Sequence, residues 1–346
     1  MKKLRIGYQP FSADLTHPGD RRRLVFWAKQ KGHQIITDSN EVVDVMVISE
    51  RGNLGLIREN GPPIVFDLID GYLAKENPGI DWLRGTSKVL TKKISGKPKP
   101  FSKIVANLCL SSSAVICSSE EQKITIKPYS NNIHVILDCH DEIPLLPFNT
   151  SMSSQKRKVL WEGLPATMGG LKSIQPALLA TWKENNYEID FLSDLEYFRV
   201  LGKYLPSETE LVLEKFLGDI YPYSHLIPWN ISNLVNSAKQ SAAAIIPVDL
   251  SSSLQFLKPE NRLLIMWRLG LPCLTSALPS YVRVNEIVGV DGVCRTNDEW
   301  HSKLGSLLTE EYLAEEMVIR GQSYLKEFHN SEVLLEKWDR AFESIL

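Results

Sequence analysis

The stretch Phe256–Pro272, FLKPENRLLIMWRLGLP, carries the densest structural signal in the chain. It reads as a loop, a helix start, a short buried helix and the beginning of a strand. Pro259 suits a first helical turn, because its missing N–H has no intrahelical partner there. Leu263, Leu264, Trp267 and Leu271 recur at helical spacing and make one apolar face. Gly270 supplies a stop, and Pro272-Cys273-Leu274-Thr275 opens an extended run. Charges gather at the start of the helix, in Lys258, Glu260 and Arg262. A helix N-terminus offers free N–H groups and the positive end of a dipole, so two cations beside it form a candidate anion site. The plainer alternative is an ordinary amphipathic helix whose first charges are solvated.

Around this stretch lie 346 residues, more than one hydrophobic core usually serves, so two domains are expected. Hydrophobic residues make up 43% and charged ones 23%, the balance of a soluble globular chain. The net charge of −2 gives no sign of a nucleic-acid binder, despite local clusters such as Arg21-Arg22-Arg23. MKKLRIGYQP lacks the apolar core of a secretory signal, so none is expected. No run approaches the roughly 20 apolar residues of a membrane span. The five cysteines are odd in number and widely spaced, without a metal-ligand pattern. Cys117 and Cys273 sit in apolar runs and read as buried thiols, which suits a reducing cytoplasm.

Short apolar strands then alternate with helical stretches. In the first half they are Leu4–Tyr8, His33–Thr37, Val43–Ile48, Pro63–Asp67, Ala114–Ser118 and Ile133–Leu137, with a helix expected from Arg21 to Lys31. Residues 74–104 are rich in Lys, Gly and Pro and read as loop with an ill-defined helix. Such alternation predicts a parallel sheet covered on both faces, a Rossmann-like unit. No GxGxxG follows the first strand, so a dinucleotide is not indicated. Asn149–Lys156 is polar and reads as a domain boundary. The pattern restarts with a strand at Lys158–Trp161, a helix at Leu171–Lys183, and strands at Tyr187–Leu192, His225–Trp229, Ala243–Val248 and Leu271–Thr275. Asn230 and Ser232 compete as cap of the helix that follows Trp229. The tail from Thr309 to Leu346 reads as helical.

In this order the pieces resemble GT-B glycosyltransferases, specifically the large retaining group that uses nucleotide-sugar donors. Val159-Leu160-Trp161-Glu162-Gly163 resembles the strand and glycine loop that open that group's C-terminal domain. Trp229–Asp249 resembles its helix and "DIxxxPL" strand. Lys258-Pro259-Glu260-Asn261-Arg262-Leu263-Leu264 resembles "KSPNKLLE", and Gly270-Leu271-Pro272 resembles "GLPV". Weaker echoes are Pro18-Gly19-Asp20-Arg21 after the first strand and Ala114–Ser119 for "DxVxxSS". The resemblance implies an α/β chain of GT-B fold. Its two Rossmann-like domains, residues 1–150 and 151–346, would flank a cleft, with the last helix crossing back to the first. Two positions depart from the pattern. Ile265 stands where the group carries a glutamate that binds the donor ribose, and Leu257 stands near its other glutamate. An isoleucine cannot accept those hydroxyl protons. Asp249 or Glu260 would have to serve in a shifted register, or the nucleotide is handled differently.

What the resemblance implies chemically follows from the reaction. Negative charge develops on the leaving diphosphate as its bond to the sugar breaks. Lys258 and Arg262, with the backbone N–H groups of Glu260 and Asn261, are the candidates to meet it. Gly163, with Gly169-Gly170, would let the backbone approach the donor, and Gly19 would do so from the first domain. Asp67 and Asp70 follow a strand, where α/β sheets place functional loops. Asp70 is the candidate to deprotonate an acceptor hydroxyl, with Asp249 the second catalytic carboxylate. Asp67 otherwise caps a turn. Arg21–Arg23 would hold an anionic acceptor, or else are solvated. His140 and Asp141, after the last strand of the first half, are equally consistent with linker chemistry.

The expected partners are a nucleotide-sugar donor, as co-substrate rather than cofactor, and a glycan or lipid-linked acceptor; no metal and no nucleic acid is called for. The place is the cytoplasm, with peripheral contact at the inner membrane face compatible with a lipid-linked acceptor. Two other readings stay open. Ile265 and Leu257 fit a catalytically degenerate GT-B-like protein that binds a glycan or a partner. A sugar-nucleotide epimerase has the same architecture but calls for a carboxylate and histidine network, whereas His17, His134 and His225 are scattered.

Overall fold

The computed structural model describes residues 2–38, 40–54, 61–74, 77–91, 93–94, 96–148, 157–200, 204–251 and 253–346. The boundary expected at Asn149–Lys156 lies outside them. The chain forms two compact units. The first comprises residues 1–140, 253–259 and 329–346, and the second 141–252 and 260–328. The stretch that opened the sequence reading is thus divided: Leu257 and Lys258 belong to the first unit, and Glu260 to Pro272 to the second.

The first unit is built on β1 (Arg5–Gln9), β2 (Gln34–Ile36), β3 (Val45–Ser49), β4 (Ile64–Leu68), β5 (Ala114–Cys117) and β6 (Ile133–Val135). Every pairing is parallel, in the order β2-β1-β3-β4-β5-β6. Side chains alternate across a strand, and in β4 and β5 both faces are buried and, Asp67 apart, apolar, as a sheet covered on two sides requires. Val65 and Ile116 pack with Leu24, Trp27, Trp338 and Phe342 on one face. Phe66, Val115 and Cys117 pack with Phe101, Val105 and Leu108 on the other. The last helix, Ser331–Glu343, is pinned at Asp339, whose carboxylate accepts from Trp27 Nε1 at 2.8 Å and from Lys31 at 2.6 Å.

Two sequence expectations for this unit need correction. The helix Arg21–Lys31 is broken into Pro18–Arg21 and Leu24–Lys31. The break serves Arg23, which is fully buried rather than solvated. Its guanidinium clamps both oxygens of Asp67, at 2.6 and 3.1 Å, and donates to the Ile136 carbonyl at 2.7 Å. Asp67 is therefore an internal counter-ion, neither a turn cap nor an exposed base. Residues 74–104 contain a 13-residue helix, Pro78–Leu90, and the start of another, Phe101–Ser111. Asn77 caps the first, accepting from the Gly79 N–H, with Pro78 at its first position.

The second unit carries β7 (Lys158–Glu162), β8 (Glu188–Ser193), β9 (Glu196–Val200), β10 (Tyr204–Glu208), β11 (Ser224–Pro228), β12 (Ala243–Ile246), β13 (Cys273–Ser276) and β14 (Val293–Cys294). Strands β9 and β10 form a separate antiparallel hairpin, which the sequence reading did not anticipate. The other six make a parallel sheet in the order β11-β8-β7-β12-β13-β14. Setting the hairpin aside, this is the doubly wound 3-2-1-4-5-6 arrangement of Rossmann folds. Asn230 rather than Ser232 caps the helix Ile231–Gln240. The helix Asn261–Arg268 starts one residue after Glu260, so Pro259 precedes the helix instead of opening it. Gly270 does end that segment, in the left-handed region at φ 73°. All five cysteines are buried and free.

The Arg23–Asp67 pair generates a stability prediction. Removing Asp67 leaves buried Arg23 with the more distant Asp138, at 3.3 Å, as its carboxylate partner, and breaking a buried pair typically costs about 3–5 kcal/mol, whereas an apolar replacement of both is far milder. Asp67→Ala should lower the urea midpoint strongly, and Arg23→Met with Asp67→Leu should recover most of the loss. A double variant as unstable as Asp67→Ala would show that the pair's hydrogen bonds, not its charges, matter.

Candidate functional site

In each parallel sheet the strand order reverses beside the first strand, and the loops at the carboxyl ends there diverge to leave room for ligands. In the first unit those loops follow β1, β3 and β4. The loop after β1 is tied down by buried Asp20, which accepts from the Tyr8 hydroxyl and the N–H groups of Phe11 and Ser12. Gly19 is buried in that loop. A Cβ there would meet Phe11, His17 and Ile69 at 3.0–3.1 Å, so close internal packing accounts for this glycine.

The loop after β4 is held on every side. Glu50, directly after β3, accepts the N–H groups of Ile69 and Asp70 at 3.0 and 2.9 Å. Gln122 donates to the carbonyls of Leu68 and Asp70, and Ser118 to that of Ile69. Asp70 meets Lys258 at 2.5 Å. Segment 253–259 is further fixed by a hydrogen bond from Ser119 to the Leu257 carbonyl and by the Leu257 side chain lying on Gly71, where no Cβ would fit. So Lys258 is engaged with a carboxylate of the first unit. Burial pushes Asp70 upward, but the Lys258 ammonium outweighs it and holds the carboxyl below its ordinary range. Burial, then the nearby Asp70 charge, push Glu50 up to about 8. A base works best with a pKa near the working pH, so Glu50 is better matched to proton transfer than Asp70. Sequence reasoning missed Glu50, although its place at the end of a strand was a usable signal.

In the second unit the reversal lies between β7 and β12. Glu162 ends β7, Gly163 follows it, and Arg262 closes over them. It donates to the Glu162 carbonyl, faces the Glu162 carboxylate at 3.5 Å and stacks on the Trp161 ring at 5.2 Å. Trp229 Nε1 donates to the other Glu162 oxygen at 2.9 Å. A Cβ on Gly163 would meet Thr167 at 2.8 Å, Trp161 at 3.0 Å and the Arg262 guanidinium at 3.1 Å, so the glycine lets all three side chains close on the loop. The 17-residue helix Gly169–Asn185 follows, with no side chain capping its start. Gly170 packs so tightly on the Pro247 carbonyl that a Cβ would sit at 2.5 Å, whereas Gly169 is exposed and has Asp249 as its neighbour at 3.8 Å. Asp249, exposed after β12, accepts from the N–H and hydroxyl of Ser251.

Glu260 is buried and paired with Arg283 at 3.2 Å. Asn261 Oδ1 is buried without a hydrogen-bond partner. Ile265 lies in the apolar side of its helix, and Leu257 is buried as well. The structure thus brings Gly163 to Arg262 and Asp70 to Lys258, and it sets Glu260 apart with Arg283. Among the described residues no cluster of His, Cys, Asp or Glu has the makings of a metal site.

With two doubly wound units, the chain has the GT-B glycosyltransferase fold, and comparison with solved structures supports this assignment. Over 92% of its length it superposes on 57% of TarM, with a TM-score of 0.60 and 13% identity. It also superposes on WaaG, a glycosyltransferase involved in lipopolysaccharide biosynthesis, covering 97% of this chain and 98% of that one, with a TM-score of 0.59 and 10% identity. A variant of S. aureus TarM in complex with Fondaparinux, alpha-GlcNAc-glycerol and UDP gives a TM-score of 0.59 at 11% identity. The chain spans little more than half of TarM. No family model and no curated protein matches the sequence.

Two measurements follow. Gly170→Ala should destabilise by about 1–3 kcal/mol, because the methyl meets backbone that cannot yield, while Gly169→Ala should be near neutral; equal midpoints would refute the close packing. The raised Glu50 makes stability depend on pH. Folding favours its protonated form, so that contribution is complete below the ordinary carboxyl range near 4.5 and is lost as pH rises to about 8. Across that window wild type should lose stability relative to Glu50→Gln, by roughly 2–4 °C in Tm per pH unit, and the difference should level off above 8. A flat difference would mean that Glu50 ionises normally.

Proposed function

We propose that this chain is a glycosyltransferase that moves a sugar from a nucleotide-sugar donor to a hydroxyl of a saccharide or lipid-linked acceptor in surface-glycan synthesis, with retention at the anomeric carbon and without a metal. The observation that carries the reading is the β7/β12 reversal of the second unit. There Gly163, the Arg262 guanidinium, an uncapped helix start at Gly169 and Asp249 are set around loops that a donor diphosphate would use. Likeness to WaaG along nearly the whole of both chains supports it.

In the reaction the bond between the sugar C1 and the diphosphate oxygen breaks, a bond from C1 to the acceptor oxygen forms, and the acceptor proton passes to a base. Arg262 and the N–H groups at Gly169 and Gly170 would stabilise the departing phosphate charge. Asp249 would serve the ribose or the sugar hydroxyls, in place of the carboxylate that Ile265 cannot supply. In the first unit, Asp70 and Glu50 are the acceptor-side carboxyls. Lys258 holds Asp70 ionised; its contribution to the donor would require that pair to open.

One observation favours the second reading, a degenerate GT-B-like binding protein. The charged groups named for the donor have internal partners: Lys258 with Asp70, Arg262 with Glu162, Glu260 with Arg283. Titration of wild type and Arg262→Ala with nucleosides, monophosphates and diphosphates separates the two. A charge-assisted bond to phosphate is worth roughly 1.5–3 kcal/mol, so the variant should lose about 10- to 100-fold in diphosphate affinity and little for the nucleoside. Equal losses for all three would make Arg262 a support of Glu162 only. Absence of any nucleotide binding or slow sugar-nucleotide hydrolysis in wild type would sink the transferase reading.

A further inference from the structure

Arg51, Lys88 and Lys93 converge on the turn that follows β3. That turn, Ser49 to Gly52, is closed by a hydrogen bond from the Gly52 N–H to the Ser49 carbonyl at 2.9 Å. A Cβ on Gly52 would meet Gln9, the last residue of β1, at 2.7 Å, so the turn lies pressed on the neighbouring strand. The Lys88 ammonium donates to the Glu50 carbonyl at 2.8 Å and lies 5.1 Å from the centre of the Phe101 ring. Lys93, just beyond the same helix, donates to the next carbonyl, that of Arg51, and Arg51 itself is exposed. Both ammonium groups are therefore anchored on neutral carbonyls. Each such bond uses one of an ammonium's donors and leaves the others for a ligand.

These charges crowd one another. Burial, then Lys93, pulls Lys88 down to about 8, and burial, then Arg51, lowers Lys93 as well. The acid that favours the Lys88 ammonium is Glu50, whose own carboxyl is raised to about 8. Asp70, on the adjoining loop, is held by Lys258. An excess of positive charge therefore remains at the turn near neutral pH. Gathering like charges is unfavourable, and an anion bound among them reverses the sign of that interaction. A phosphomonoester suits the place best, because it carries roughly two negative charges and several strong acceptor oxygens. Of the cations first expected to meet an anionic acceptor, Arg23 is engaged with Asp67; the three at this turn lie elsewhere in the sequence. Glu50 joins the turn to the acceptor side of the unit. Its carbonyl takes Lys88, while its carboxyl takes the N–H groups of Ile69 and Asp70. A phosphate held at the turn would set the rest of its molecule beside Glu50.

We propose that Arg51, Lys88 and Lys93 form a subsite for a phosphomonoester group carried by the acceptor. The inference rests on the acceptor-side reading of this unit and narrows the acceptor to a phosphorylated hydroxyl compound. The test is calorimetric titration with glycerol phosphate, with the diester glycerophosphoglycerol and with glycerol. Wild type should bind the monoester, bind the diester more weakly and ignore glycerol. Arg51→Gln with Lys93→Gln, and separately Lys88→Gln, should each weaken monoester binding by roughly tenfold or more, since each removes a charge-assisted bond. Lys88→Arg should recover most of that loss. Lys88 also braces the Glu50 carbonyl, so thermal melts accompany its variants; the Arg51 and Lys93 pair, nearer the surface, should melt as wild type does. Arg262→Ala, in the second unit, should bind the monoester like wild type. Four results would overturn the proposal: no monoester binding by wild type, unchanged binding by both charge-removing variants, equal affinity for the diester, or loss in Arg262→Ala alone. The last would assign the phosphate to the donor side. Nucleotide titration reads the transferase proposal separately. A wild type that binds glycerol phosphate through these cations but no nucleotide would end that proposal and support the phosphate subsite.

Discussion

Parallel strands cannot be joined by tight turns, and this constraint organises both units. Each strand must be followed by a crossover long enough to return the chain to the same edge, and the crossovers cover the sheet on both faces. That is why β4 and β5 are buried on each side, and why their alternating apolar residues feed two separate cores. It also gathers every carboxyl end at one edge. Glu50 after β3, Asp70 after β4, Glu162 at the end of β7 and Asp249 after β12 stand at comparable places for this one reason. Where the winding reverses, the loops separate, and the chemistry-bearing residues collect there without needing to be near in sequence.

At those edges the recurring theme is charge held by countercharge. Arg23 is buried with Asp67, Arg262 is folded back on Glu162, Lys258 grips Asp70 and Arg283 holds Glu260. Each arrangement fixes a loop, and each lowers the availability of a charge to an incoming ligand. A phosphate would have to compete with a carboxylate for Arg262. Glu50 differs, because burial and the Asp70 charge push its carboxyl toward the neutral form by more than the nearby Lys258 and Arg51 charges hold it ionised. Two backbone N–H groups compensate part of that burial, and they fix the position of the Asp70 loop at the same time.

Sequence periodicity made the architecture legible because strand burial and helix stripes are local patterns. All six strands read in the first half are present, and Asn230 and Gly270 do what their local chemistry predicts. Expectations failed where a side chain's partner lay far along the chain. Arg23 read as solvated because Asp67 and the Ile136 carbonyl are distant in sequence. The helix Pro78–Leu90 was missed although its apolar residues recur at helical spacing and Asn77-Pro78 signalled its start; what the sequence could not give is that this apolar side faces outward. The pairing of Glu260 with Arg283 was likewise invisible, because the two lie 23 residues apart.

By itself the sequence determined two doubly wound α/β units, the burial of Cys117 and Cys273 and the glycine stops, since each follows from the period of apolar residues or from backbone geometry at one position. It also marked Leu257 and Ile265 as apolar where a ribose ligand would be acidic. Only the tertiary structure decided which charges are spoken for, that Glu50 rather than Asp70 is poised to titrate, and that Gly19 and Gly170 answer packing. Those outcomes depend on distances between residues far apart in the chain. Coulomb attraction and steric contact act through space, and no local pattern encodes them.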